Sequence, residues 1–190
     1  MGKTVFKVLT EKEIPYADQD KSLSKTLRNG SRSRGINPFY YGIKRLKNYL
    51  LMMLAYILPF NALRVKLNKW KGVNIGTNVY IGMFVFLDNA YPEYIYLEDY
   101  SAINAGSMII THFNLRKHFE NLIIARVAPV VIKEGALISV RSIILPGVTV
   151  GEYSIVSAAT VVSEDVTAYT VVRGNPAVRV AKYNQKLIRK

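Results

Sequence analysis

The sequence predicts an all-β solenoid, because one short pattern recurs with a fixed period through more than half of the chain. Between residues 132 and 162 an aliphatic residue stands at every sixth position, and a small or β-branched residue follows each one four positions later. The same phase occurs upstream, broken by interruptions at residues 90–96 and 112–131. A sustained fixed period indicates a repeat architecture. The twelve aliphatic positions, called the anchors below, are Ile75, Ile81, Leu87, Leu97, Ile103, Ile109, Ile132, Ile138, Ile144, Val150, Val156 and Val162.

A period of six fits a short strand followed by a tight corner. Residues two apart on a strand share a face, so the small residue and the next anchor, such as Ser142 and Ile144, point into one interior. A single coil cannot bury its own face, and the coils must therefore stack. Ordinary strands in a β-sandwich are the alternative, but a sandwich gives no reason for twelve anchors to stay in phase.

The repeats themselves, IKEGAL-ISVRSI-ILPGVT-VGEYSI-VSAATV-VSEDV, resemble those of the hexapeptide-repeat acyltransferases, and TVVRGNPAVRV resembles the segment that closes such proteins. The resemblance covers residues 73 to about 180. It implies a left-handed parallel β-helix with triangular coils, assembled as a homotrimer with active sites between neighbouring helices. The position before an anchor faces outward and is often aliphatic, which predicts contact with another subunit or with the C-terminal segment. These outward residues are Leu137, Ile143, Ile155 and Val161.

The rest of the chain is expected to frame this solenoid. The predicted segments are a flexible basic arm at 1–38, an amphipathic helical lead-in at 39–72, the β-helix at 73–167 with an inserted loop at 112–131, and a closing segment at 168–190. The net charge is +13, of which residues 1–72 carry +11, from 15 basic and 4 acidic side chains. No nucleic-acid-binding motif accompanies this charge, so no nucleic acid is expected as a partner.

The lead-in is the other segment that bears on function. Apolar residues recur at helical spacing through 39–60, with Lys44, Arg45 and Lys47 in the first half. The uncharged run at 49–60 is too short to span a bilayer. The helix either packs against the solenoid and caps its end, which we favour, or lies in a membrane surface. The chain has no cysteine and no visible signal peptide. The expected location is therefore the cytoplasm, with the inner face of the membrane as the peripheral alternative.

Both histidines of the chain fall in the second interruption, where a long loop on a rigid scaffold can carry function. Histidine is the side chain best suited to act as a general base near neutral pH. The run INAGSMIITHF resembles the one that leads to the catalytic histidine of the family, so His112 is predicted as the base and His118 is the alternative. Many relatives place the histidine at the position of Asn114. Asn114 and Asp88 are candidates for binding the acceptor, and Asp88 or Glu120 could orient the histidine.

The resemblance also implies acetyl-CoA as the donor. It assigns donor contacts to Ala158, at a small position, and to Ser163, a following hydroxyl. Arg173 and Arg179 are the predicted phosphate partners, with Lys182 and Arg141 as further basic residues. Glu164 stands where relatives often have a basic residue, and it would repel a phosphate.

The function that the resemblance implies is acyl-CoA-dependent O-acyl transfer. The expected reaction carries acetyl from acetyl-CoA to a sugar hydroxyl in surface-polysaccharide or glycan biosynthesis, directly and without a covalent enzyme intermediate. A noncatalytic scaffold of the same fold is the alternative. A metal hydrolase of this fold would need three histidines at one site, and the chain has two, so no metal is expected. The acceptor, the hydroxyl and the acyl length stay open.

Overall fold

The computed structural model describes residues 3–16, 28, 30–31 and 34–188, and most of them form a triangular solenoid. Two helices, α1 (Pro38–Ile57) and α2 (Asn61–Lys71), precede it. Short 3-10 helices lie at Pro92–Tyr94, Lys117–Phe119 and Gln185–Leu187. The strands are β1 (Lys12–Glu13), β2 (Asn74–Ile75), β3 (Tyr80–Ile81), β4 (Phe86–Leu87), β5 (Ile95–Leu97), β6 (Ala102–Ile103), β7 (Met108–Ile109), β8 (His112–Phe113), β9 (Arg126–Val127), β10 (Val130–Ile132), β11 (Leu137–Ile138), β12 (Ile143–Ile144), β13 (Thr149–Val150), β14 (Ile155–Val156), β15 (Val161–Val162), β16 (Thr170–Arg173) and β17 (Val178–Lys182).

Three parallel sheets form the walls of the solenoid, and each complete coil contributes one strand to each wall. The first sheet contains β2, β5, β10 and β13, the second contains β3, β6, β11, β14, β16 and β17, and the third contains β4, β7, β12 and β15. All pairs within these walls are parallel except β16 with β17. We call the turns after the first, second and third sheets the first, second and third corners.

The anchors stack on one another through the coils, as the period predicts. Ile132 lies between Leu97 and Val150 in the register of the first sheet. All twelve anchors belong to one buried apolar cluster, and none is more than 6% exposed. The small residues at the corners add hydrogen bonds between coils. Ser142 donates its hydroxyl proton to the carbonyl oxygen of Ser157 in the next coil, at 2.9 Å.

Helix α2 caps the open end of the first coil, whereas the sequence predicts this role for the helix at 39–60. Its Val65 packs on the solenoid core. Arg64 donates to the carbonyl oxygen of Ile81, at 2.6 Å, and Lys71 donates to that of Leu87, at 2.7 Å. These buried side chains donate hydrogen bonds to backbone carbonyl oxygens at the free edge of the first coil, which would otherwise be unpaired. Helix α1 packs on α2, and no helix in the described residues is long and apolar enough to cross a membrane.

The prediction of a flexible arm at 1–38 is wrong for residues 3–16, which lie along the solenoid. The backbone N–H of Thr4 donates to Asp99, at 2.7 Å, and that of Leu9 donates to the hydroxyl of Tyr96, at 2.9 Å. Strand β1 pairs with β9, and Ile14 is buried. Backbone hydrogen bonds, ion pairs and apolar contacts such as the ring contact of Phe6 with Tyr96 therefore hold this stretch. Residues 17–27 of the predicted arm lie outside the described residues.

The inserted loop at 112–131 also has more structure than expected. It contains β8 and β9, which form a small antiparallel sheet together with β1. Behind this sheet Ile14, Tyr91, Tyr94, Ala125 and Val127 form a second apolar cluster. The solenoid resumes at Val130, so the last two residues of the predicted loop belong to β10.

The segment at 168–190, predicted to close the solenoid, contains β16 and β17. Strand β16 extends the second sheet below β14, and β17 turns back to cover its edge. The outward residues Leu137, Ile143, Ile155 and Val161 are half-buried in the single chain. Their predicted contact with another subunit stays a prediction.

The buried lysine under the cap gives a test of this packing. Burial lowers the pKa of Lys71 to about 8, although the nearby Asp88 opposes the shift. Between that pH and about 10.4, the ordinary pKa of lysine, the unfolded chain binds a proton that the folded chain does not. The free energy of unfolding should therefore rise with pH, by about 2 kcal/mol more in the wild type than in Lys71→Met between pH 7 and pH 10.

Urea unfolding at a series of pH values measures this difference. Lys69→Met is the matched control, because Lys69 is exposed on the same helix. It should keep the pH dependence of the wild type. Parallel pH curves for the wild type and Lys71→Met would contradict the buried position of the ammonium group.

Candidate active site

The third corner of the first two coils brings the strongest candidate residues together. Asp88 directly follows β4, and His112 lies three residues after β7. Leu87 and Ile109 are partners in the third sheet, so these two corners are stacked. The backbone confirms the stacking, because the N–H of Asp88 donates to the carbonyl oxygen of Ile109 at 3.0 Å. As a result, Nδ1 of His112 lies 2.5 Å from Oδ2 of Asp88.

Asp88 is held as an ionised carboxylate. Its side chain is 3% exposed and accepts hydrogen bonds from the N–H and hydroxyl of Thr111, at 3.0 and 2.8 Å, and from the N–H of Ala90, at 2.8 Å. Burial alone would raise the pKa of Asp88, but the hydrogen bond and charge of His112, together with these backbone donors, lower it to about 2. The carboxylate is therefore negatively charged at neutral pH.

This carboxylate fixes the proton arrangement of His112. With Asp88 ionised, the hydrogen bond requires a proton on Nδ1, so Nε2 of the neutral ring carries the free lone pair. The His112 side chain is 20% exposed, which leaves the ring reachable from solvent. The arrangement can take a proton at Nε2 and stabilise the resulting imidazolium through the negative charge on its other side.

An aromatic and a cationic side chain support the pair from behind. The ring of Tyr91 lies 5.3 Å from that of His112, and the guanidinium of Arg34 lies 4.1 Å above the Tyr91 ring. Arg34 also donates to the carbonyl oxygen of Ala90, at 3.0 Å. On the strand side, β8 pairs His112 with Val127. Sequence reasoning missed Tyr91 and Arg34; the only signal for Tyr91 was its place in the short interruption at 90–96.

The structure distinguishes the positions of the residues predicted for this region. Asp88 was predicted either to bind the acceptor or to orient the histidine. Its buried oxygens accept hydrogen bonds from Ala90 and Thr111 and contact His112, and this arrangement favours the orienting role. Glu120, the alternative for that role, is exposed. His118 is also exposed, in the 3-10 helix Lys117–Phe119, where its ring contacts Phe119. Asn114 is exposed just after β8.

The predicted donor-binding residues do not gather at one place in the single chain. Ser163 follows β15 and therefore lies at the third corner, two coils beyond His112, a separation of about 10 Å at ~4.8 Å per coil. Ala158 lies at the second corner, and Arg173 and Arg179 lie in the β16–β17 hairpin, where Arg173 pairs with Val178 and Arg179 pairs with Val172. All four residues are exposed. A common site containing these residues and His112 would need two neighbouring chains.

The open C-terminal end of the solenoid contains a cavity of about 290 Å³ lined in part by Arg179. Glu164 and Asp165 line the same cavity, and their charge opposes phosphate binding there. In the described part of the chain, no group of three or more histidine or acidic side chains is placed to hold a metal ion.

Known proteins with similar sequences are acetyltransferases by name. Over 135 residues the chain is 28% identical to the proposed acetyltransferase YvoF of Bacillus subtilis (strain 168), which covers 70% of this chain and 75% of that protein. A shorter match of 50 residues is 48% identical to a 2,3,4,5-tetrahydropyridine-2,6-dicarboxylate N-acetyltransferase of Staphylococcus aureus (strain bovine RF122 / ET3-1), covering 26% of this chain and 21% of that protein. No family model matches the sequence.

Solved structures share the fold over most of its length. A hexapeptide-repeat acetyltransferase of Vibrio cholerae O1 biovar eltor, solved with acetyl-CoA, has a TM-score of 0.60 at 21% identity and covers 77% of this chain and 90% of its own. A maltose O-acetyltransferase of Clostridium difficile 630 has a TM-score of 0.60 at 20% identity and covers 75% and 87%. The chain is thus a left-handed parallel β-helix, which confirms the predicted fold class and the resemblance to hexapeptide-repeat acetyltransferases.

The ionised state of Asp88 can be tested through stability. Its pKa is lower in the folded chain, about 2, than in the unfolded chain, about 3.9. The stability it contributes is present above the unfolded value and is lost as pH falls through the folded value. Between pH 5 and pH 3 the wild type should lose about 1 kcal/mol of unfolding free energy that Asp88→Asn does not lose.

Denaturant unfolding at pH 5, 4 and 3 measures that difference. Glu120→Gln serves as the control, because Glu120 is an exposed carboxylate in the same region, and its curve should follow the wild type. If Asp88→Asn lost the same stability as the wild type over this range, the depressed pKa would be refuted.

Proposed function

We propose that the protein is an acetyltransferase that uses acetyl-CoA and acetylates a hydroxyl group of a sugar, with His112 as the general base. The observation that carries this proposal is the Asp88–His112 pair, in which a buried carboxylate leaves Nε2 of a reachable histidine free to accept a proton. Its setting is a fold shared with hexapeptide-repeat acetyltransferases, one of them solved with acetyl-CoA.

The residues suggest how transfer would proceed. His112 takes the hydroxyl proton at Nε2 while the acceptor oxygen attacks the carbonyl carbon of the thioester. Asp88 balances the positive charge that forms on the ring. When the tetrahedral intermediate collapses, the carbon–sulfur bond breaks and the imidazolium returns its proton to the departing thiolate. General-base assistance of this kind contributes about 10²–10⁴-fold, and alignment of the two substrates contributes further.

The choice of a hydroxyl oxygen as the acceptor is based on the proteins whose structures resemble this fold. The maltose O-acetyltransferase structure covers 75% of this chain and 87% of its own, compared with 61% and 76% for an N-acyltransferase of Bacillus cereus. We therefore place the acceptor among sugars or glycans, in the biosynthesis of a surface polysaccharide or related glycan.

A homotrimer would reconcile the separated donor-binding candidates. Ala158 and Arg173 lie at or beside the second corner, away from the third corner that carries His112. A neighbouring chain could place its second corner next to the His112 corner, and the half-buried outward aliphatics offer the contact surface. In this arrangement acetyl-CoA would lie in the groove between two chains.

Loss of the base should abolish most of the activity. His112→Ala should lower kcat by about 10²–10⁴-fold with little change in KM for acetyl-CoA, because the imidazole acts only on the proton. His118→Ala is the matched control and should keep wild-type rates. Release of CoA from acetyl-CoA, in the presence of a panel of saccharides, can be followed with a thiol reagent, since the protein contains no cysteine. Undiminished turnover in His112→Ala would overturn the assignment.

Donor binding separates the enzyme from a noncatalytic scaffold of the same fold. A ligand that binds only the folded state at about 100 times its Kd stabilises that state by about 2.7 kcal/mol, which corresponds to a rise of about 5–10 °C in Tm for a chain of this length. We expect CoA to raise Tm in the wild type and in His112→Ala alike. An unchanged Tm at millimolar CoA would favour the scaffold.

A further inference from the structure

The exposed face of α1 is its most apolar face. Its buried residues are Tyr41, Asn48 and Ala55, which are polar or small. At 100° per residue these three lie within about 40° of one another, on the side opposite to a stripe of six large apolar residues. Each member of this α1 stripe is about half exposed or more, up to 77% for Phe39. The α1 stripe consists of Phe39, Ile43, Leu46, Leu50, Leu54 and Ile57.

This orientation reverses the usual arrangement of a surface helix, in which the apolar face meets the core and the polar face meets water. An exposed apolar patch on a folded domain marks a site that contacts a partner or a membrane. The helix has 20 residues and is therefore about 30 Å long, so the stripe presents a long ridge. It does not form a closed pocket for a small molecule.

The charge around the α1 stripe indicates the kind of partner. No Asp or Glu occurs between Asp20 and Asp88, while twelve Lys and Arg residues occur in the same interval. Lys44, Arg45 and Lys47 lie on α1 itself. A partner for this surface must offer an apolar region that can bury the α1 stripe and negative charge that can attract the basic residues. A second copy of the same surface would bring like charges together, whereas an anionic bilayer meets both requirements.

Aromatic residues at the margins fit the same partner. Tyr40, Tyr49 and Phe60 are exposed beside the α1 stripe. Trp70, at the end of α2, is 57% exposed, with the ammonium of Lys66 4.9 Å from its ring centre. Tyrosine and tryptophan side chains favour the boundary between lipid and water, where one end is apolar and the other is hydrated.

We infer that α1 docks this protein on an anionic lipid surface, lying in the plane of the interface with the α1 stripe in the acyl region and the basic side chains at the headgroups. The inner face of the cytoplasmic membrane is a surface of this chemistry. The His112 corner would lie on the side of α1 that faces away from the lipid, because Arg34 contacts both Tyr41, on the buried face of α1, and Tyr91 behind His112.

Vesicle flotation with the full chain tests the inference. Vesicles of phosphatidylcholine with about one-third phosphatidylglycerol should bind the protein, and pure phosphatidylcholine vesicles should bind it at least about ten-fold less, because basic residues near an anionic surface are attracted to its negative charge. Salt at about 0.5 M should weaken the binding, since it screens surface charge.

Two double variants separate the α1 stripe from apolar exposure in general. Leu46→Gln with Leu50→Gln should reduce binding about ten-fold or more, because two leucines no longer enter the acyl region. Leu122→Gln with Ile123→Gln is the matched control, since these residues are also exposed and apolar but lie in the insertion. It should bind within about two-fold of the wild type. Circular dichroism and Tm should confirm that both variants fold.

Absence of binding to the anionic vesicles would overturn the inference, and so would binding that survives Leu46→Gln with Leu50→Gln. Loss of an oligomer in that variant, seen as a lower mass by light scattering without any vesicle binding in the wild type, would show that the α1 stripe is a contact between chains. The assay needs neither acetyl-CoA nor an acceptor, so its outcome is independent of the proposed acetyl transfer.

Discussion

Parallel pairing between successive coils places each corner directly over the corner before it, about 4.8 Å away. Polar groups at a corner must then be satisfied by the neighbouring coil. The hydroxyl of Ser107 donates to the carbonyl oxygen of Ser139, and Ser142 repeats this with Ser157 one coil later. The Asp88–His112 contact is the same kind of bond between coils, at the third corner. The register that builds the wall therefore also builds the candidate site.

The solenoid could be predicted from the sequence because its information is local and periodic. Each anchor is read from its own hexad, and the stacked coils bury all of them. The N-terminal stretch could not be predicted in the same way. Its attachment depends on hydrogen bonds from Thr4 and Leu9 to Asp99 and Tyr96, nearly 90 or more residues away. No local pattern encodes such contacts, and a polar, charged segment is therefore interpreted as a flexible arm.

The site was predictable in part for a related reason. The chemistry of histidine and its place after an anchor selected His112, but two carboxylates competed for the role of its partner. The structure distinguishes the two carboxylates. The pairing of Leu87 with Ile109 places Asp88 beside the ring of His112, whereas Glu120 is exposed in the insertion. The donor-binding residues could not be placed from one chain, because Ala158 and Ser163 lie at different corners and their joint use depends on how chains assemble.

The two helices have different positions on the solenoid: α2 makes the capping hydrogen bonds, and the α1 stripe stays exposed. Helix α2 closes the first coil with buried polar side chains, Arg64 and Lys71, which bond the carbonyl oxygens of Ile81 and Leu87. These hydrogen bonds do not involve the residues of the α1 stripe. Fully burying a large apolar side chain contributes about 1.5–3 kcal/mol, so six half-exposed ones leave on the order of 5–10 kcal/mol unused in the single chain. An unused term of that size is comparable with the whole stability of a domain, about 5–15 kcal/mol. A helix that only supported the cap would be more stable with this face turned inward, and the proposed docking on an anionic lipid surface would give the α1 stripe the apolar contact that it lacks within the chain.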